Sequence, residues 1–242
     1  MLVETGLTET PIGKIIMAST FVTDFATAAA LSILFIQPGW MMLAFIGVSA
    51  AIIVVLPRLA PIFARRYGGR VTQPEMKLIF VALFALMFFA ELGASHAVLP
   101  AFILGLAMSR WMASDRTQQQ RLRVVAFALL TPFFFLKSGM NISLPAVAAN
   151  LGWLAALLAV KLVTKFAGVF PLARRYVRGD AWYTTLLMST GLTFGTISSL
   201  YGLNSGILDN AQFSVLVTTV VLSAIVPTVI AQRFFSPRVE VK

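Results

Sequence analysis

Residues 12–36 read IGKIIMASTFVTDFATAAALSILFI, and residues 151–172 read LGWLAALLAVKLVTKFAGVFPL. A helix needs about 20 apolar residues to cross a bilayer, and both stretches satisfy that length while carrying a charge near the middle, Asp24 in the first and Lys161 in the second. An ionisable group at that depth is costly unless it is paired, hydrated or in use, so an intramembrane acid together with an intramembrane base reads as part of an ion pathway. Thr23 and Thr27 lie on faces neighbouring Asp24 at helical spacing and make one polar cluster with it.

The rest of the chain has the same character. Hydrophobic residues form 59% of the 242 and charged ones 12%, with a mean hydropathy of +0.88, a balance that a soluble domain cannot place on its surface. The expected fold class is all-α, a polytopic membrane protein with about eight transmembrane helices near 12–36, 40–62, 76–94, 97–111, 124–141, 151–172, 183–203 and 211–235. No cysteine and a single histidine, His96, exclude a disulfide, a thiolate site and a histidine-rich metal cluster. His96 reads as a satisfied interfacial residue.

The net charge of +10 would suit nucleic acid if it were clustered without regard to the apolar spans. Threading the chain through eight spans instead gathers Lys14, Arg58, Arg65, Arg66, Arg70, Lys77, Arg110, Arg116, Arg121, Arg123, Arg174, Arg175, Arg178, Arg233, Arg238 and Lys242 on one side. The loops near 37–39, 95–96, 142–150 and 204–210 hold no lysine or arginine. By the positive-inside rule the basic side and both termini are cytoplasmic, so the charge expresses topology and no nucleic-acid partner is expected. Met1–Thr10 does not have the pattern of a signal peptide and reads as a short lead into the first span, or as the end of a preceding helix. Gln37, Pro38 and Gly39 suit an outer turn, and residues 112–123 a polar cytoplasmic linker, partly helical, between two bodies.

Four further features bear on chemistry. Glu91, near the outer end of its span, suits a structural hydrogen-bonding role, with ion binding as the secondary reading; Lys137 either snorkels outward or pairs with an acid. Lys161 and Lys165 share a face at i, i+4; Lys165 is near enough to the basic end to snorkel, which leaves Lys161 as the expected charge partner of the acid. Between Ser189 and Ser199, Thr190, Gly191, Thr193 and Gly195 interleave glycine with hydroxyls at mid-membrane depth. That composition suits an interrupted helix lining a cavity better than a tightly packed helix whose hydroxyls bond back to the preceding turn. No GxSxG, HExxH or Walker A motif is present, so no catalytic residue, enzyme activity, metal or cofactor is expected.

Five passages then carry a family resemblance: ASTFVTDFATAAALSIL at 18–34, AELGASHAVLPAFILGLAMS at 90–109, PFFFLKSGMNISL at 132–144, KLVTKFAG at 161–168 and MSTGLTFGTISSLYGLNSG at 188–206. In order and spacing they resemble the C-terminal two-thirds of the membrane domain of bacterial monovalent cation:proton antiporters, the sodium/proton exchangers and potassium/proton efflux systems. The resemblance implies a partial inverted-repeat antiporter fold at 1–242, lacking the usual N-terminal helices and therefore a truncated, split or excerpted form. It also implies Asp24 as the shared cation and proton site, with Thr23 before it, Lys161 as core lysine, and Thr190, Gly191, Thr193 and Gly195 as the interrupted-helix lining. Thr23 replaces the usual acid or amide, which leaves the proton stoichiometry open. Thr193 stands where potassium-efflux relatives often carry Glu, which favours sodium. The implied partners are lipid, monovalent cations, protons, and either a second copy or the missing helices, in the inner membrane. The rival expectations are a non-transporting subunit of a complete antiporter and a channel-like protein.

Overall fold

A computed structural model of the chain describes residues 7, 10–34, 39–69, 72–93, 95–177 and 179–235. The expected lead at Met1–Thr10 lies outside them apart from Leu7 and Thr10, as do Gln37, Pro38, Arg70, Ala94, Arg178, Arg238 and Lys242. The described elements are helical: α1 Pro11–Leu34, α2 Trp40–Tyr67, α3 Pro74–Leu92, α4 Val98–Ser114, α5 Arg116–Val125, α6 Thr131–Met140, α7 Leu144–Ala149, α8 Leu151–Tyr176, α9 Ala181–Met188, α10 Leu192–Asn204 and α11 Asn210–Phe234. Among the described residues five helical stretches are long and apolar enough to cross a membrane: α1, α2, the α5–α6 stretch Arg116–Met140, α8 and α11. Val98–Ser114 is a shorter apolar helix, and α3 together with the α9–α10 pair occupies the remaining expected spans. Much of this apolar surface stays exposed, Trp153, Val160 and Val163 of α8 among it, as lipid-facing helices require. The chain is a multi-pass, all-α membrane protein.

Helix ends follow local chemistry. The Thr10 hydroxyl accepts from Gly13 N at 3.1 Å and caps α1, and Asp115 accepts from the amides of Thr117 and Gln118 and caps α5. Asp209 and Gln212 form a reciprocal capping box at the start of α11. Each answers amides that a helix start leaves open. One element was not expected: the 142–150 loop contains α7, started by Ser143, whose hydroxyl accepts from Ala146 N, with Pro145 in the first turn. The expected linker is largely helical as α5, and it runs on through a π-helical turn, Ala126–Leu130, into α6. The amide of Thr131 reaches back to Ala126 O. Pro132, next along, has no amide to donate and crowds the carbonyl four residues earlier, which accounts for a widened turn just before it.

The chain divides into two compact units, Phe25–Phe134 and the combination of Met1–Asp24 with Phe135–Lys242. The Phe25–Phe134 unit has a core of Leu56 and Ala60 from α2, Met76, Ile79, Ala82 and Leu86 from α3, and Leu104 and Met108 from α4, all at the three- and four-residue steps of one helical face. In the other unit α11 is the central helix, burying Phe213, Val217, Val220, Pro227 and Ala231. Tyr183, Leu186 and Ala231 pack with Leu7 and Ile16.

Small residues set the closest approach in that unit. A Cβ on Gly195 would stand 2.7 Å and 2.9 Å from the two methyls of Val220 on α11, so the absent side chain is what lets α10 lie against α11. Gly195→Ala should therefore destabilise the protein by about 1–3 kcal/mol, read as a lowered melting temperature in detergent. Adding Val220→Ala should restore most of the loss, whereas an unshifted single variant would show that the approach is not tight.

Candidate functional site

The α9–α10 break arises from its own sequence. In the last turn of α9 the hydroxyl of Ser189 donates to Thr185 O at 2.7 Å and that of Thr190 donates to Leu187 O at 3.0 Å. Side chains thus occupy carbonyls that continuing helix amides would use. Gly191 then takes an extended conformation, φ −174°, and α10 starts at Leu192. Among the described residues no backbone amide donates to the carbonyls of Met188, Ser189 or Thr190. The break therefore presents the negative end of α9 and the positive end of α10 to the same small region. The expected interruption is present, with Gly191 in it; Gly195 lies a turn inside α10 and serves packing.

Lys161 faces this break. A Cβ built on Gly191 would be 3.7 Å from Lys161 Nζ, an ordinary contact, so the ammonium rests beside the bare backbone of Gly191 near the carbonyl end of α9. The sequence reading pairs Lys161 with Asp24; Asp24, Lys161 and Lys165 all belong to this unit, and among the described residues no ion pair within 4.0 Å joins either lysine to Asp24. Four residues along a helix are about 6 Å of rise, enough to give the two lysines separate tasks although they share a face. Lys165 stands one turn from Lys161 on the same helix.

The remaining residues fall as follows. Asp24 is half-buried on α1, while Thr23 is exposed there and donates its hydroxyl hydrogen to Thr20 O at 2.8 Å. Thr190 is half-buried and Thr193 exposed. Glu91, in the last turn of α3, and Lys137, near the end of α6, are both exposed, and among the described residues neither has an ion pair within 4.0 Å. A cavity of about 260 Å³ borders the first turns of α10, lined in part by Ser138, Gly139, Leu192 and Thr196. Among the described residues no group of three or more His, Cys, Asp or Glu is arranged to hold a metal. The sequence reading set Lys165 aside as near enough to the basic end to snorkel; it shares a face with Lys161 at i, i+4.

Residues 1–236 match the family described as sodium/hydrogen exchanger, transmembrane. The Na+/H+-K+ antiporter GerN of Bacillus cereus is 24% identical over 160 residues, covering 65% of this chain and 41% of the relative. The probable Na+/H+ antiporter 3 of Methanocaldococcus jannaschii is 22% identical over 253 residues, 97% of this chain and 64% of the relative. The chain thus spans less than two-thirds of the length of these curated relatives. No solved structure matches it. A family match that runs through every helix described above leaves one conclusion: the chain belongs to the transmembrane sodium/hydrogen exchanger family, within the monovalent cation:proton antiporters.

Proposed function

We propose that this chain carries the transport site of a secondary active antiporter that exchanges a monovalent cation, sodium ahead of potassium or lithium, for protons by alternating access. The observation that carries the proposal is the gathering of Asp24, Lys161, Lys165 and the α9–α10 break in one compact unit, with Lys161 facing the break. A single carboxylate can hold a proton or a cation but not both, so the two compete for Asp24. Either occupant neutralises the acid, whereas a bare carboxylate pays the full cost of entering an apolar layer. Lys165 offers a countercharge while Asp24 is empty. Thr23 and Thr190 have committed their hydroxyl hydrogens to carbonyls, so what they can offer a hard cation is oxygen lone pairs, as such an ion prefers.

Coupling of this kind is transport without enzyme chemistry, and its ions are substrates, so no cofactor enters. The placement of lysine and arginine argues for a cell inner membrane with the basic ends and both termini on the cytoplasmic side. The proposed protein partner is a second copy of this chain or another antiporter chain. The runner-up reading is a membrane subunit that acts only with another antiporter chain.

Three measurements test these assignments. In liposomes, sodium added outside should drive internal pH changes that saturate with sodium and vanish in Asp24→Asn, while insertion is kept. Exchange preserved in that variant would refute the site, and a correctly inserted but silent wild type would favour the subunit reading. Removing the charge next to the acid should tighten apparent cation affinity in Lys165→Ala; Lys161→Ala should leave affinity near wild type and lower the melting temperature. The reverse pattern would return Lys161 to its expected role. Because the chain has no cysteine, single cysteines report topology: one at Thr117 should react only from the cytoplasmic side and one at Ser205 only from outside.

A further inference from the structure

α8 and α11 pack together, and both carry arginine in their last turns. At the opposite end, where both helices start, a cavity of about 510 Å³ is lined by residues of the two. Its deeper wall is apolar, with Leu157 of α8 and Val215 and Leu216 of α11. Its rim is polar, with Asn150 before α8, Asp209 before α11 and Gln212 in the first turn of α11. Leu157 follows Asn150 by seven positions, as Leu216 follows Asp209, which is about 10 Å along a helix axis. The polar layer of a bilayer is about 5–7 Å deep on each side of the hydrocarbon. A cavity of that length, with its rim at the helix starts, reaches from the headgroups to the upper acyl chains.

The rim's own hydrogen bonds decide what it can offer. Gln212 Oε1 accepts from Asp209 N at 3.1 Å, which leaves the Nε2 hydrogens of Gln212 as donors. Asn150 Nδ2 donates to Ala146 O at 2.8 Å, which leaves the Oδ1 of Asn150 as acceptor. Asp209 takes Gln212 N on Oδ1 at 2.7 Å and keeps its other oxygen. Trp153, exposed on α8, adds an indole N–H. Among the described residues lining the cavity Asp209 alone is charged, and the flanking loops 142–150 and 204–210 hold no lysine or arginine. Two acceptors, one of them a carboxylate, beside two N–H donors are the complement of a hydrogen-bonding ammonium next to a phosphate. A headgroup of net negative charge would meet Asp209 with no cation on the rim to offset it.

We infer that this cavity is a binding site for a zwitterionic phospholipid whose headgroup ends in a primary ammonium. The ammonium lies between Asp209 and Asn150, the phosphate meets Gln212 Nε2 and Trp153 Nε1, and the top of an acyl chain lies on Leu157, Val215 and Leu216. Such a lipid bridges α8, which carries Lys161, and α11, which packs on both halves of the broken helix. This inference does not depend on the exchange reading.

Trp153 supplies the readout. The full chain with Trp40, Trp111 and Trp182 replaced by phenylalanine keeps it as the only tryptophan. In phosphatidylcholine vesicles its fluorescence is followed while a second lipid, brominated near the top of its acyl chains, is raised in mole fraction. Brominated phosphatidylethanolamine should quench at a several-fold lower fraction than brominated phosphatidylcholine or phosphatidylglycerol, and each methyl added to its ammonium should raise that fraction. Asp209→Asn keeps a side chain that can cap α11 but removes the charge, and should bring phosphatidylethanolamine close to phosphatidylcholine. Equal quenching by all three lipids, strongest quenching by phosphatidylglycerol, or a preference unchanged in Asp209→Asn would overturn the site. So would no quenching by any lipid, which is the result expected if a second copy or other helices cover the cavity. If Asp209→Asn does not insert, the methylation series decides. If the tryptophan-replaced chain does not insert, lipids retained by the unaltered chain are counted by mass spectrometry of the intact protein after exposure to the three lipids in equal amounts. Several-fold enrichment of phosphatidylethanolamine supports the site there, and its absence overturns it.

Discussion

Backbone carbonyls and amides inside an apolar layer must be answered by something, since lipid offers them no hydrogen bonds. A continuous helix answers them internally. Between Met188 and Leu192 this chain gives that solution up, and much else in the same unit follows. Ser189 and Thr190 direct their hydroxyls back into α9, which keeps their polar atoms satisfied while the next carbonyls are left open. Gly191 keeps side-chain bulk away from the backbone there, and the Lys161 ammonium comes to rest beside it. A side chain at 191 would begin in ordinary contact with that ammonium, its Cβ 3.7 Å from Nζ.

A break is a weak point, and it holds its geometry only if the helix halves are fixed from outside. α11 does that. Its buried stripe is unusually long for a membrane helix, from Phe213 to Ala231, and it packs on α8, α9 and α10. Tyr183 on α9 and Gly195 against Val220 on α10 anchor one half each. The second glycine of the Thr190–Gly195 segment thus contributes to the break indirectly, by tying down the helix that begins after it, while the first lies within the break itself.

The coarse fold was legible because apolar length is a direct consequence of bilayer thickness, and the spans drawn from the sequence agree with the helix ends to within about five residues, apart from the fifth, expected from 124, whose helical stretch begins at Arg116. Asp24 stood out for the same reason, a charge where none is expected. What sequence could not resolve depended on packing. Lys161 and Lys165 differ by one turn on one face, and depth within the span could not say which of them meets the helix break, where Lys161 lies beside Gly191. Glu75 gave no signal: an acid just after a proline at the start of a helix is what the helix dipole favours, and only the side chains of α5 bury it. The π-helical turn could be rationalised from Pro132 but not foreseen, since prolines at 57, 61, 171 and 227 sit in helices without one.

The two acids show why depth in the sequence is a poor guide to burial in the fold. Asp24 lies mid-span, yet it is only half-buried. Glu75 lies at a helix end, where water would be assumed, yet α5 closes over it with a glutamine and a partly exposed arginine.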